Sequence, residues 1–296
     1  MPLDQIDVDA IDQKLDDGNE MSFLDHLEEL RWHILRSLAA ISITGIVLFI
    51  FGGWLFDAVI FGPTHDTFIS YRVICNLSEQ LGLGDSMCFG PPEFNPISVG
   101  VAENFIMSIK VSFIMGFFVA FPYVFYQIWS FIRPGLYKNE RIATRGIVAI
   151  CSFLFIIGVL FGYYIISPFA INFLVGYTIP GVTNSPTLSS FVTYMIMFTA
   201  PAGLIFELPI VVYFLSKVGL VTPDVMRTYR RHAIIAVLIL AALITPPDVV
   251  TQFLIGIPLF ILYEISIFVS RRVVKKEEAK WDPKAKKPAK KKVKKR

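Results

Sequence analysis

Long apolar stretches alternate with short polar ones along this chain. A helix needs roughly 18 or more apolar residues to cross a bilayer. We therefore predict an all-α integral membrane protein with six spans, the last two of them short, at about 34–56, 105–132, 146–176, 189–215, 233–244 and 249–269. The fifth span has only about a dozen apolar residues, roughly 18 Å of helix against a bilayer core of about 30 Å. Either the membrane thins there or neighbouring helices shield its ends.

Composition and charge support this prediction and add an orientation. The chain is 54% hydrophobic and only 17% charged, whereas soluble domains are about 25% charged. Lys and Arg are retained on the cytoplasmic side of a membrane. Loops 133–145 and 217–231 hold four each, and the tail from Arg271 holds most of the rest, whereas Arg72 is alone in 57–102. The pattern predicts a multi-pass membrane protein with both termini in the cytoplasm.

The two ends of the chain differ from the apolar region between them. Residues 1–20 are acidic and lack the apolar core of a signal peptide, so we expect a disordered leader and a first span that is retained as an anchor. The tail 271–296 is basic, with Pro and Ala interleaved, and cannot bury a core. We expect it to be attracted to anionic lipid. RNA contact is the weaker alternative, because Trp281 is its only aromatic residue.

The sequence contains none of the common motifs of enzymes or cofactor-binding proteins. No zinc-binding, nucleotide-binding or hydrolase motif is found, so no metal, cofactor or nucleic acid is expected. Cys75 and Cys88 share one predicted outer segment, and a disulfide between them is one option in an oxidising periplasm.

An acidic helical face precedes the first span. In "MSFLDHLEELRWHIL", apolar residues recur at helical spacing while Asp25, Glu28 and Glu29 cluster on the opposite side. Helices that adhere to anionic lipid carry Lys and Arg there instead. The pattern predicts a cationic ligand. The alternative is a solvated face that pairs with Arg31 or Arg36.

A second acidic candidate lies in the basic loop "FIRPGLYKNERIATRG". Glu140 is the only acid of this loop. It is either a first-turn carboxylate favoured by the helix dipole, or it joins Glu28 and Glu29 in holding a doubly charged ligand. Arginine is the natural partner, because its guanidinium meets carboxylates bidentately.

The stretch "GLIFELPIV" places Glu207 alone among apolar residues. A carboxylate there can carry an ion in a secondary transporter, but such transporters usually show internal repeats, and none is obvious. An intramembrane hydrolase would need a nucleophile with a base, and the spans offer no convincing set. The third interpretation is a neutral acid that offers one polar anchor to a partner helix, with Pro209 loosening the helix beside it.

Two further patterns concern the spans themselves. Prolines recur inside or near the ends of the predicted spans and should bend them into a curved wall. Lys110 follows Glu103 by seven residues on about the same helix face, and we interpret it as a lysine that extends to the outer interface.

Four motifs in register resemble one family. "FLDHLEELR" (23–31), "FIRPGLYKNE" (131–140), "FELP" (206–209) and "TPPD" (245–248) resemble TatC, the multispanning receptor subunit of the twin-arginine protein translocase, over about 21–270. The resemblance implies a non-enzymatic receptor, six helices in a cup-like arrangement, and export of folded proteins driven by the proton-motive force. It also implies single-span partners of the TatA and TatB type, and other copies of the chain itself.

The resemblance also implies roles for individual residues. Glu29 and Glu140 would form the acidic patch for the paired arginines of a signal peptide, with Phe131 in the same patch. Leu30 and Arg31 match the motif and would shape the patch.

Three further residues match the family outside that patch. Glu207 would be its buried glutamate, Asp248 the acid of the last outer turn, and Pro63 a proline of the first outer loop. The outer segment 57–100 is longer than the family pattern.

Overall fold

The computed structural model describes residues 23–80, 82, 88, 90–91, 96–132, 144–181, 184–244 and 249–281. The acidic leader, the tail beyond Trp281, Glu140 and Asp248 lie outside the described residues. Within the described ranges the regular structure is helical, apart from one isolated β-bridge between Ile97 and Thr187.

Within the part of the chain that the structure describes, five helical segments are long and apolar enough to cross a membrane. They are His26–Ile50, Glu103–Ile132, Gly146–Gly176, Leu188–Lys217 and Gln252–Lys276. Numbered along the chain, the α-helices are α1 Phe23–Ile50, α2 Gly52–Leu55, α3 Ile69–Gln80, α4 Glu103–Ile132, α5 Thr144–Phe161, α6 Ser167–Gly176, α7 Leu188–Ile205, α8 Leu208–Lys217, α9 Pro223–Thr228, α10 Arg230–Ile244 and α11 Val249–Trp281. Two π-helical turns, Phe56–Ile60 and Gly162–Ile166, and a 3-10 turn, Gly62–Thr64, join some of them.

Helix lengths differ from the predicted spans in three places. The acidic segment and the first span form one helix, α1, of 28 residues. Helix α10, at the predicted fifth span, has 15 residues, or about 22 Å of helix. Helix α11 continues to Trp281, so the predicted basic tail begins within a helix.

The fourth predicted span is broken at Pro209. Proline has no backbone N–H to continue the helical ladder. The Phe206 N–H still bonds to Ala202 O at 3.1 Å, but the Glu207 N–H turns to Leu204 O at 3.2 Å, and helix α8 starts after it. Glu207 therefore lies in the turn that joins two helices. Other prolines stay inside helices, namely Pro122 in α4, Pro201 in α7 and Pro258 in α11.

Small residues allow the long helices to approach closely. A Cβ atom added at Gly116 of α4 would lie 2.7 Å from the backbone N of Gly45 in α1. At the same crossing, the Thr44 hydroxyl donates to the Gly116 carbonyl at 2.9 Å. Helices that pack without a hydrophobic driving force commonly use such small-residue contacts.

Helices α1 and α4 run antiparallel, so the start of α1 meets the end of α4. This end of the molecule, marked by Glu29, is called the Glu29 end below. The opposite end, where α4 and α7 begin, is called the Glu103 end.

A buried carboxylate joins two helices at the Glu103 end. Glu103 is 9% exposed. Its carboxylate accepts from the backbone N–H groups of Val99 at 2.8 Å, Gly100 at 3.0 Å and Ser189 at 2.8 Å. Because Ser189 lies in the first turn of α7, these bonds fix the start of α4 to the start of α7.

Two turns along α4 from Glu103, the Lys110 ammonium donates to the Thr193 hydroxyl of α7 at 2.9 Å. Lys110 therefore adds a second polar link between these helices, which the sequence did not predict.

Cys75 of α3 and Cys88 form a disulfide, with their Cα atoms 4.7 Å apart. This separation lies in the usual range for disulfides. The bond ties α3 to Cys88 within the segment between α1 and α4.

Candidate functional site

The Glu29 end brings one face of α1 against one face of α4. His26, Glu29 and His33 are spaced by three and four residues, so they lie on the same side of α1. Gln127 and Phe131, four residues apart, lie on the facing side of α4. The His26 ring stacks on the Phe131 ring with centroids 4.4 Å apart and planes at 17°. These five residues are called the Glu29 cluster below.

The two carboxylate oxygens of Glu29 have different surroundings. Oε1 lies 3.9 Å from His33 Nε2, and the side chain is 33% exposed. Oε2 is buried and has no hydrogen-bond partner among the described residues. A buried acceptor without a donor costs free energy, so this oxygen favours a ligand that brings an N–H group.

His33 is held from the other side by Gln127. The His33 Nδ1 and Gln127 Oε1 atoms are 2.6 Å apart. Gln127 is 4% exposed, and the His33 side chain is 12% exposed. The Phe131 ring meets the His33 ring edge-on at 6.2 Å. Glu29, His33 and Gln127 therefore form a row that crosses from α1 to α4.

The other residues predicted for this site are not members of the Glu29 cluster. Glu28 and Arg31 are exposed, and Leu30 is half-buried. Within the described residues Glu29 lies near His33, and neither Glu28 nor Glu29 makes an ion pair with Arg31 or Arg36. Glu140, the second predicted acid, lies outside the described residues.

An apolar groove continues from the Glu29 cluster along α1 and α4. Its volume is about 520 Å³. Seven of its ten wall residues are aliphatic, and the other three are His33, Ser37 and Phe131. The cluster and the groove together suit a ligand with a cationic part followed by an apolar part.

Glu207 is buried at the turn between α7 and α8. It is 8% exposed, and neither carboxylate oxygen has a hydrogen bond of good geometry with a described donor. The buried Cys151 thiol of α5 is a polar neighbour. Leu204 and Val211, on either side of it in the sequence, are 55% and 49% exposed. The carboxyl thus lies just beneath an apolar surface.

Pro63 lies at the Glu103 end and has a packing role there. It is fully buried, and its carbonyl accepts from the Tyr71 hydroxyl at 2.6 Å. Burial raises the pKa of Tyr71 to about 12. Pro63 is therefore separate from the Glu29 cluster. Asp248, the other predicted outer residue, lies outside the described residues.

A known protein family matches most of the chain. The profile described as "Sec-independent protein translocase protein (TatC)" covers residues 25–258, a range that includes the Glu29 cluster and Glu207. The chain belongs to the TatC family. It is therefore a component of a membrane protein translocase, a transport protein rather than an enzyme.

Individual TatC proteins match over nearly their whole length. TatC of Blattabacterium sp. subsp. Periplaneta americana is 38% identical over 264 residues, which cover 88% of this chain and 98% of that protein. TatC of Aquifex aeolicus is 32% identical, over 87% of this chain and 98% of that protein. A crystal structure described as the twin arginine translocase receptor TatC in DDM is similar, with a TM-score of 0.66, 32% identity, and coverage of 83% and 99% of the two chains.

In this TatC chain, sequence reasoning missed three members of the Glu29 cluster. His26 and His33 share the helical face of Glu29, and that spacing could have found them. Gln127 carries a weaker signal, because its only marks are its place one turn before Phe131 and its polarity within an apolar span.

Proposed function

We propose that this TatC chain is the receptor and core scaffold of a twin-arginine translocase. It binds the paired arginines of signal peptides and, with single-span partners of the TatA and TatB type, exports folded proteins using the proton-motive force. The observation that carries the proposal is the buried, unpartnered Oε2 of Glu29 beside the stacked rings of His26 and Phe131.

An arginine side chain suits this arrangement in two ways. Its guanidinium supplies N–H donors in a planar fork that matches a carboxylate, so it would satisfy the free oxygen of Glu29. The guanidinium plane also stacks on aromatic faces, and the Phe131 ring lies within the same cluster. Exposed Glu28 adds negative charge at the rim, and Glu140 would receive the second arginine. Leu30 and Arg31 shape the approach.

The apolar groove supports a signal peptide over other cationic ligands. Signal peptides carry a positively charged region followed by an apolar region. With the arginines at Glu29, the apolar region would continue into the groove between α1 and α4, whose lining is mostly aliphatic.

We also propose the membrane arrangement that the charges support. Six spans form a cup-like wall in the bacterial inner membrane, and α10 crosses where the membrane is thin or its ends are shielded. The Glu29 end faces the cytoplasm, where basic residues are retained. The Cys75–Cys88 disulfide supports a periplasmic Glu103 end, because disulfides persist in oxidising compartments.

Partners would use other surfaces of the chain. A helix of a TatA- or TatB-type subunit would dock on the apolar surface around Leu204 and Val211 and offer a polar side chain to Glu207. Other copies of the chain would complete the assembly. Exposed Arg271, Arg272, Lys275 and Lys276 of α11, with the basic tail after them, would contact anionic lipid.

Crosslinking of a paired-arginine signal peptide in membranes tests the proposal. Glu29→Lys and Glu140→Lys should each lower crosslinking by about tenfold or more, because a hydrogen bond to a charged group contributes about 1.5–3 kcal/mol. The matched control is Asp224→Lys, a charge reversal at a side chain that is 92% exposed in α9; it should have little effect. Unchanged crosslinking in both glutamate variants would refute the receptor function.

A further inference from the structure

We propose that His33 is a positioning residue of the signal-peptide site, and that a second proton on its ring weakens binding of a cationic peptide by occupying Glu29. The inference rests on the proposed receptor function. It concerns the affinity of the peptide site, through a side chain that lies beside Glu29, and makes no statement about the transport step.

The hydrogen bond to Gln127 decides which nitrogen takes the second proton. Gln127 presents its carbonyl oxygen to His33 Nδ1 at 2.6 Å. A carbonyl oxygen only accepts, so Nδ1 carries the proton and donates it. In the neutral ring Nε2 then has no proton. The second proton must go to Nε2, which lies 3.9 Å from Glu29 Oε1.

Protonation therefore places a positive charge beside the carboxylate that the signal peptide needs. Imidazolium and guanidinium would compete for the same acid and would repel each other. Histidine is the side chain whose charge commonly changes between pH 5 and 8. Binding should be tightest when His33 is neutral and weaker when it is charged.

Among the described residues of α1, Glu29 lies four residues before His33, His26 lies seven residues before it on the same face, and exposed Arg36 follows it by three residues. From α4, the facing residues are Gln127 and Phe131, which do not titrate. Glu140, in the loop after α4, lies outside the described residues. Its contribution is therefore measured with a separate variant below.

The test measures the dissociation constant of a fluorescent paired-arginine peptide for the purified full-length protein, from pH 8 to pH 6. The arginines of the peptide keep their charge throughout this range. For the unmodified protein we expect binding about three- to tenfold weaker at pH 6 than at pH 8. His33→Gln keeps a hydrogen-bonding side chain without the charge change, so its affinity should not vary with pH. His26→Gln and Glu140→Gln should retain the pH dependence.

A second variant separates this role from a merely structural one. Gln127→Glu has nearly the same shape but puts negative charge beside Nδ1, which favours the doubly protonated ring. The midpoint of the affinity loss should therefore move to higher pH. A structural role for His33 predicts no such movement.

The outcomes distinguish the inference from the proposed function. A pH dependence that persists in His33→Gln, an unmodified protein with constant affinity, or an unmoved midpoint in Gln127→Glu overturns the role of His33. Normal peptide affinity in Glu29→Gln at pH 8 overturns the receptor site itself. Weak binding in Glu29→Gln together with an unmoved midpoint in Gln127→Glu rejects only the His33 inference.

Discussion

Replacement of Gly158 by alanine tests how tightly the α5 and α7 helices pack. A Cβ atom at this position would lie 2.7 Å from the Ala202 carbonyl oxygen and 2.8 Å from the Gly203 Cα. Both are backbone atoms, so no side-chain rotation relieves the overlap. The two helices must move apart or the substitution must destabilise the protein.

The expected loss of unfolding free energy follows from the overlap and from comparison with a matched control in the same helix. Overpacking of a close-packed contact costs about 1–3 kcal/mol, whereas alanine in place of glycine within a helix gains up to about 1 kcal/mol. Gly146→Ala should show the gain alone, because no atom lies within 4 Å of the added Cβ. The difference between the two variants is therefore about 1–3 kcal/mol.

Thermal unfolding of the purified proteins in one detergent measures this difference. At about 2–4 °C per kcal/mol for a chain of this size, Gly158→Ala should unfold about 2–12 °C below Gly146→Ala. Equal midpoints for the two variants would refute the close contact. A large loss in Gly146→Ala would show that the control position is also packed.

Three further predictions concern Glu207, the disulfide and Glu103. Glu207→Gln should keep much of the export activity, because an amide still offers a polar anchor, whereas Glu207→Ala should lose most of it; equal losses measured for a folded substrate would point to proton transfer. In a Cys151→Ser background, which removes the remaining free thiol, Cys75 and Cys88 should react with a thiol-specific mass tag only after reduction, and labelling of this variant without reduction would contradict the disulfide. Glu103→Ala should lower the unfolding midpoint, because three backbone N–H groups lose their acceptor; Glu79→Ala, at an exposed position, is its control.

The spans were predictable because the bilayer imposes a length on any helix that crosses it. The central parts of α4, α5 and α11 coincide with apolar runs that are visible in the sequence. The ends were less predictable. Helix α1 begins in the acidic segment and α11 runs past its apolar part, because a helix also continues through polar residues outside the membrane.

The Glu29 cluster was only partly predictable, since one helix does not specify its neighbour. The acidic face of α1 and the aromatic Phe131 could both be found from local patterns. Their contact with His26, His33 and Gln127 depends on how α1 and α4 pack against each other. An apolar helix surface in a membrane is equally suited to lipid and to another helix, so the sequence pattern of one helix cannot choose between them.

The glycine contact between α1 and α4 explains why the cluster forms where it does. Gly45 follows Glu29 by 16 residues, and Phe131 follows Gly116 by 15 residues. At 1.5 Å per residue these separations are about 24 Å and about 22 Å. Because the two helices are antiparallel and touch at the glycines, nearly equal separations place Glu29 opposite Phe131. The polar site is thus aligned by a glycine contact most of a membrane thickness away, which makes the register of α1 and α4 part of the recognition site.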